Sequence, residues 1–276
     1  MLEAGQLNVL EVRNLQVKVS TKRDTLSLVQ NINFEVKKGS VLGLVGESGS
    51  GKTVTSMSIL QLLDRKTTTI EGSIKLNGQE LNGLNSKQMR KIRGKDIAFI
   101  MQNPMNAFTP VLTIGHQFIE TIRSHISCSK NRAREIAIEA MSDVNLLEPA
   151  KLLKSYPFQL SGGMLQRVMI AIAACTHPAV IIADEPTTAL DVKNQKTVLY
   201  HLDKIRVEYG SAILLISHDL GVIAEMADEV AVMQNGRIVE KADVFQLFDD
   251  PQHQYTKKLL DARPLLHEDE TIIHLA

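Results

Sequence analysis

The residues Gly46-Glu47-Ser48-Gly49-Ser50-Gly51-Lys52-Thr53 fit the pattern G-x-x-x-x-G-K-[ST] in full. The apolar run Val41-Leu42-Gly43-Leu44-Val45 leads into them, and Val54 to Leu63, with helical spacing, leads out. Glycines at a strand-to-helix junction let successive backbone N–H groups turn inward and cradle phosphate. The helix start near Gly51 adds its positive end. Lys52 supplies a point charge for the terminal phosphates, and the Thr53 hydroxyl can ligate Mg²⁺. The alternative, a glycine-rich turn that happens to contain Lys-Thr, leaves the flanking strand and helix unexplained.

Hydrolysis needs acids beside the phosphates. The buried run Val180-Ile181-Ile182-Ala183 ends in Asp184-Glu185. Two carboxylates there are costly unless they meet positive charge. Asp184 is expected to hold Mg²⁺ through water, and Glu185 to polarise the attacking water as general base. Read alone, the two acids could equally cap the next segment. His218 follows the strand Ala212 to Ile216, where open α/β sheets place ligand sites. It is expected to hold the water and Glu185 in register at the γ-phosphate. Gln102, just past Ile97 to Met101, lies on the same sheet edge and can complete the Mg²⁺ and water shell. Asp191, after Thr187-Thr188-Ala189-Leu190, joins the candidates.

A second anion-binding helix start lies elsewhere. Leu160-Ser161-Gly162-Gly163-Met164-Leu165-Gln166-Arg167 opens a helix, with Ser161 a good N-cap. One ATP needs one phosphate loop. The simplest account of Ser161, Gly162 and Gly163 is a head-to-tail dimer, with ATP between the loop of one chain and this segment of the other. A plain glycine turn into an amphipathic helix is the competing account.

Composition narrows the class. Among 276 residues, Lys plus Arg is 31 and Asp plus Glu is 31, so the formal charge is zero. That balance disfavours a nucleic-acid partner. Two cysteines, Cys128 and Cys175, argue against a disulfide scaffold, a zinc finger or an iron–sulfur cluster. With 4% aromatics and no Trp, a base-stacking platform is not expected. The longest clean apolar run, Val168 to Cys175, is far short of the ~20 residues of a membrane helix. Residues 1–6 have neither the basic flank nor the apolar stretch of a signal peptide. The 8 histidines do not cluster at metal-ligand spacing.

The elements that must position these residues are strands and helices in alternation. Leu15, Val17 and Val19, then Ile32, Phe34 and Val36, alternate as half-buried strands. Ile70 to Leu76 is another strand, closed by Asn77-Gly78. From Asn103 to about Tyr156 strand signals vanish. Helical stripes replace them: Ile114, Phe118 and Ile122, then Ile136, Ala140 and Val144. Met164 to Ala174 is helical, Ala179 to Ala183 a strand, and Val192 to Tyr209 a long helix. A helix over Leu220 to Ala227 follows the strand Ala212 to Ile216. A hairpin, Glu229 to Met233 and Arg237 to Glu240, folds about Asn235-Gly236. Short helical patterns fill the tail from Ala242.

Taken together, the phosphate loop, Gln102, the Leu-Ser-Gly-Gly segment, Asp184-Glu185, Ala189-Leu190-Asp191 and His218 resemble the ABC-type ATPases, in that family's order and over nearly the whole chain. The resemblance implies a P-loop NTPase α/β fold. Its parts would be a RecA-like core with an antiparallel β part (1–102 and 166–241), a helical subdomain (103–165) and a tail (242–276). It implies that ATP with Mg²⁺ closes a dimer, and that hydrolysis by Glu185 with His218 reopens it. Thr53, Gln102 and Asp184 would hold the metal. The partners implied are two integral-membrane permease subunits, a second ATPase subunit and an extracytoplasmic substrate-binding protein. The chain would then sit peripherally at the cytoplasmic face of the membrane.

Three stretches bring the chain closer to the nickel, dipeptide and oligopeptide importers: Ile100 to Pro110, Ser155 to Leu160 with Arg167 to Ala171, and Pro251-Gln252-His253-Gln254-Tyr255-Thr256-Lys257. Gln102-Asn103-Pro104 with Ala107-Phe108, and Gly163-Met164-Leu165-Gln166, are most similar to nickel or metallophore import subunits, with di- or oligopeptide import as the alternative. A non-transport ABC ATPase is the next alternative, but the chain shows no long coiled coil, zinc insert or second cassette. Val19 falls where the family usually carries an adenine-stacking aromatic, which implies weak selectivity for the base.

Overall fold

The structure, a computed structural model, describes residues 7–21, 24–188 and 190–261. The readings of residues 1–6, of Ala189 and of the tail beyond Asp261 lie outside the described residues.

Alternating residues build one sheet and continuous apolar runs build the other. The first sheet is antiparallel. It contains β1 (Asn8–Ser20), β2 (Thr25–Lys37), β4 (Thr68–Leu76) and the short β5 (Gln79–Glu80), in the order β2-β1-β4-β5. The register pairs Val12 with Phe34 on one side and Ile74 on the other, and all three are buried. Their pleat therefore delivers one apolar face to the core.

The second sheet contains β3 (Val41–Val45), β6 (Ile97–Ile100), β7 (Val180–Asp184), β8 (Ala212–Ser217), β9 (Glu229–Gln234) and β10 (Arg237–Asp243). Its order is β10-β9-β3-β8-β7-β6, parallel throughout except for the β9–β10 hairpin. Every residue of β3, β7 and β8 is buried, as continuous apolar strands covered on both faces must be. Alternate residues feed two cores. Leu42, Leu44, Val180, Ile182, Leu214 and Ile216 pack with the antiparallel sheet. Val41, Val45, Ile181, Ala183, Ile213 and Leu215 pack with the helical insert.

That insert holds α3 (Ile114–His125), α4 (Lys130–Asp143) and α5 (Pro149–Leu152), after a short 3₁₀ turn at Pro104–Ala107. Thr113 and Ser129 cap α3 and α4 through their side chains. The stripe Ile114, Phe118 and Ile122 is fully buried, as its spacing predicts. Burying a side chain such as Phe118 contributes roughly 1.5–3 kcal/mol. On α4 the stripe is shifted by one position. Ala133, Ala137 and Met141 face inward, while Ile136 and Ala140 are half-buried. The alanines let α4 approach α3 and α6 closely.

The remaining helices are α1 (Lys52–Ile59), α2 (Ser86–Ile92), α6 (Gly162–Ala174), α7 (Val192–Tyr209), α8 (Leu220–Met226), α9 (Val244–Asp249) and α10 (Gln254–Asp261). α1 and α6 start from the caps expected for them, Gly51 and Ser161, ahead of the helical stripes Val54 to Leu63 and Met164 to Ala174. α1 ends at Ile59, before Leu63; Gln61 then takes a left-handed φ of 51° that no helix continues through. α2, with its Asn85/Gln88 capping box, and β5 are additional elements.

Candidate functional site

The parallel strands bring the predicted residues to one sheet edge. Register pairs Val45 with Ser217, Asp184 with Ile216, and Ile100 with Ala183. Residues that follow these strands are thus neighbours: the phosphate loop after β3, His218 after β8, Asp184-Glu185 at the end of β7 and Gln102 after β6.

The loop from Gly46 to Gly51 carries φ values of 152° at Gly46, 81° at Gly49 and 110° at Gly51, all open to glycine. A Cβ on Gly46 would run into the Met233 carbonyl oxygen of β9. Gly51 then caps α1 without a side-chain hydrogen bond, and no acid lies in the first turn of the helix. Its first N–H groups are left for an anion. The Lys52 ammonium donates to the carbonyls of Gly46 at 2.7 Å and Glu47 at 2.9 Å, and reaches the Ser50 hydroxyl at 3.4 Å. Burial pushes the Lys52 pKa down, while Glu185, Asp184 and Glu47 pull it up. Ser50 is buried, and Glu47, Ser48 and Gly49 are exposed.

Asp184 is 6% exposed at the end of β7. Burial raises its pKa; hydrogen bonding to Thr53 and the charge of Lys52 oppose that, and the Glu185 carboxylate adds to it. Thr53 and Asp184 therefore present a hydroxyl and a carboxylate to one point. Such oxygen donors fit Mg²⁺, which keeps waters and phosphate oxygens as its other ligands. Among the described residues no group of three or more His, Cys, Asp or Glu forms a metal cage.

Glu185 is the meeting point. Its carboxylate accepts from Gln102 Nε2 at 2.7 Å and from Thr188 Oγ1 at 3.1 Å, and lies 3.2 Å from His218 Nδ1. Its backbone N–H donates to Ile216 O at 2.8 Å. Gln102 therefore presents its amide nitrogen to Glu185, leaving its oxygen for other partners. Thr188 is a member that sequence reasoning passed over. Its hydroxyl three residues after the acid was the available signal.

Ser161 and Gly163 make their contacts within α6 and with α7, and a Cβ on Gly162 would meet nothing within 4 Å. Ser161 accepts from Met164 N at 3.3 Å as the cap of α6. Gly163 packs against the Asn194 side chain, which a Cβ there would meet at 3.1 Å. Asn194 in turn bonds through its N–H and its amide to Asp191, the N-cap of α7. Those bonds from Asn194 lower the Asp191 pKa. Asp191 thus belongs structurally with Gly163, through Asn194. Gln166, buried on α6, donates to Pro186 O at 2.8 Å and ties this helix to the segment just after Glu185. Val19 sits in β1 between Leu26 and Thr68.

The parallel sheet, the phosphate loop and the acids at the strand ends define a nucleoside-triphosphate hydrolase of the P-loop class. A family model described as ABC transporter matches residues 29–188. The chain is 43% identical over 261 residues to a putative peptide import ATP-binding protein of Brucella abortus (strain 2308), covering 95% of this chain and 79% of that protein. It is 44% identical over 259 residues to the oligopeptide transport ATP-binding protein AppD of Bacillus subtilis (strain 168), covering 94% and 79%. A solved structure, the ATP-binding cassette MJ0796 in a dimeric post-hydrolysis state bound to ADP and Pi, superposes with a TM-score of 0.76 at 27% identity, covering 85% of this chain and 98% of that one. The chain therefore belongs to the ABC transporter family, as an ATP-binding subunit that couples ATP hydrolysis to transport. Among the described residues no helix is long and apolar enough to cross a membrane.

Proposed function

We propose that this chain is the ATP-hydrolysing subunit of an importer for di- or oligopeptides. The observation that carries the cargo is the identity to peptide and oligopeptide import subunits over nearly all of this chain. A glutathione import ATP-binding protein, GsiA of Escherichia coli (strain K12), is 43% identical over 271 residues, covering 96% of this chain and 43% of its own length; its cargo is also a small peptide. These relatives favour peptide over the nickel or metallophore reading taken from Gln102 to Phe108 and Gly163 to Gln166.

In the mechanism we propose, the N–H groups from Gly49 to Thr53 and the Lys52 ammonium grip the phosphates. Thr53 and Asp184, with the Gln102 oxygen, would hold Mg²⁺, which would supply positive charge to neutralise the phosphates. Glu185 takes a proton from the attacking water, while His218, Gln102 and Thr188 fix its carboxylate. Ser161 to Gly163 of a second cassette cover the nucleotide from the other side. That the matched cassette MJ0796 is dimeric with ADP and Pi supports this arrangement. The Gln166–Pro186 bond and the Asn194 bridge then join each chain's signature end to its own Glu185 end. Two membrane permease subunits, a second ATPase subunit and an extracytoplasmic binding protein complete the system, with this chain at the cytoplasmic face. The domain division at 102/103, 165/166 and 241/242 belongs to the same proposal.

The test is uptake in cells lacking the gene, with labelled di- and oligopeptides and labelled nickel offered separately. Loss of peptide uptake, restored by the wild-type gene and not by Lys52→Ala, is expected. Loss of nickel uptake alone would favour the metal. Copurification from native membranes should bring permeases and a second cassette.

A further inference from the structure

The tail motif Pro251 to Lys257 has no part in the mechanism above, yet it is fastened at both ends. On β10, the Glu240 carboxylate accepts from Gln252 N at 2.7 Å and from His253 N at 2.9 Å. His253 Nδ1 accepts from Tyr255 N at 3.1 Å and so caps the first turn of α10. These bonds tie the start of α10 back to β10, across the intervening α9. They aim Tyr255, only 8% exposed, at the opening of the phosphate loop. There the Tyr255 phenol oxygen accepts from the Glu47 backbone N–H at 3.1 Å. The carbonyl of the same residue accepts from Lys52 Nζ at 2.9 Å.

We infer that Tyr255 is a positioning residue for nucleotide binding: through the Glu47 backbone it holds the first turn of the phosphate loop and the Lys52 ammonium, so that the tail sets the affinity for phosphates. The chemistry needs each part of the motif. A backbone N–H near the loop mouth must be satisfied without a charged group that would compete with phosphate, and a phenol oxygen does this. Burial keeps the Tyr255 pKa above its ordinary value, so the group stays neutral at working pH. His253 must keep Nδ1 unprotonated to accept from Tyr255 N, and Glu240 must be ionised to accept from both tail N–H groups. Burial raises the Glu240 pKa, but the hydrogen bonds from the tail outweigh it and hold the carboxyl below its usual range. The route runs from β10 through α10 to the loop. It rests on ATP binding at that loop.

The test uses the full chain and two variants, Tyr255→Phe and Lys52→Ala. Mg·ADP binding is read by titration calorimetry, and ATP hydrolysis by KM and kcat. Lys52→Ala should abolish binding, which establishes the site independently of the tail. Tyr255→Phe keeps the ring and its burial and removes only the acceptor. The expected result is a three- to tenfold rise in the Mg·ADP dissociation constant and in KM for ATP, with kcat changed less than twofold and the melting temperature unchanged. An unchanged dissociation constant would overturn the inference. So would a fall in kcat and melting temperature together, which marks a structural role alone. If Lys52→Ala binds Mg·ADP as the wild type does, the nucleotide site itself is misplaced and the inference falls with it.

Discussion

Glu185 holds a φ of 49°, a left-handed angle that costs a non-glycine residue of order 1–3 kcal/mol. The Ile216 carbonyl holds its N–H, and three side chains hold its carboxylate. That strain turns the acid off the end of β7 and toward Gln102 and His218. Gly46 shows the opposite constraint, since only a missing Cβ clears the Met233 carbonyl. Gly46→Ala should cost about 1–3 kcal/mol of loop geometry, on the scale of an overpacked site. Mg·ATP binding should then weaken roughly ten- to hundredfold. Gly49→Ala meets nothing within 4 Å and pays only for its φ of 81°, so its effect should be the smaller of the two. Equal affinities in Gly46→Ala and the wild type would remove the argument. At this scale the sequence was informative where a motif fixes several residues at once, as in Gly46 to Thr53. It was silent on contacts such as Tyr255 to Glu47, because a hydrogen bond across 208 residues leaves no local pattern.

Elements were legible where both ends carry their own signals. α7 spans Val192–Tyr209 as predicted, because Asp191 caps its start and Gly210, with φ of 67°, ends it. α1 starts beside Gly51 as its motif predicts, but it stops short of the predicted Leu63. Its stop comes from the left-handed Gln61, a residue type with no turn signature. The relation of α6 to the catalytic edge was not readable at all, since it depends on one buried amide. Gln166→Leu removes that donor and leaves the Pro186 carbonyl buried without it. The cost should be about 1–3 kcal/mol, read as a melting temperature lower by roughly 2–8 °C. Turnover should fall as well, because Pro186 follows Glu185 directly, while ATP affinity stays within twofold. A variant with wild-type stability and turnover would show that α6 does not position the acid.

At the scale of the molecule, the helical insert meets the core along α4, α6 and α7. There His201 is buried, and neither ring nitrogen has a hydrogen-bond partner. Burial, with Arg167 of α6 and Lys204 of α7 adding positive charge, pushes its pKa down from 6.5 to about 4. The sign follows directly. Between about pH 6.5 and about pH 4 the unfolded chain binds a proton that the native chain refuses, so stability falls as pH falls through that window. His201→Phe should flatten this slope by nearly one proton in denaturant titrations. An unchanged slope would place the acid sensitivity elsewhere. The fold class was readable from motif order. The pairing of β4 with β1 and the tail's return to the phosphate loop were not, because long-range register depends on packing and not on local composition.

The central claim is that Glu185 is the general base of an ATP site completed by a second cassette. The most direct test is Glu185→Gln, followed by ATP turnover and by sizing with and without Mg·ATP. The account predicts ATP affinity near that of the wild type, turnover lower by at least ~10²-fold, the scale of a lost general base, and a stable ATP-bound dimer, formed with itself or with the second cassette. Turnover near the wild-type rate in that variant would contradict it.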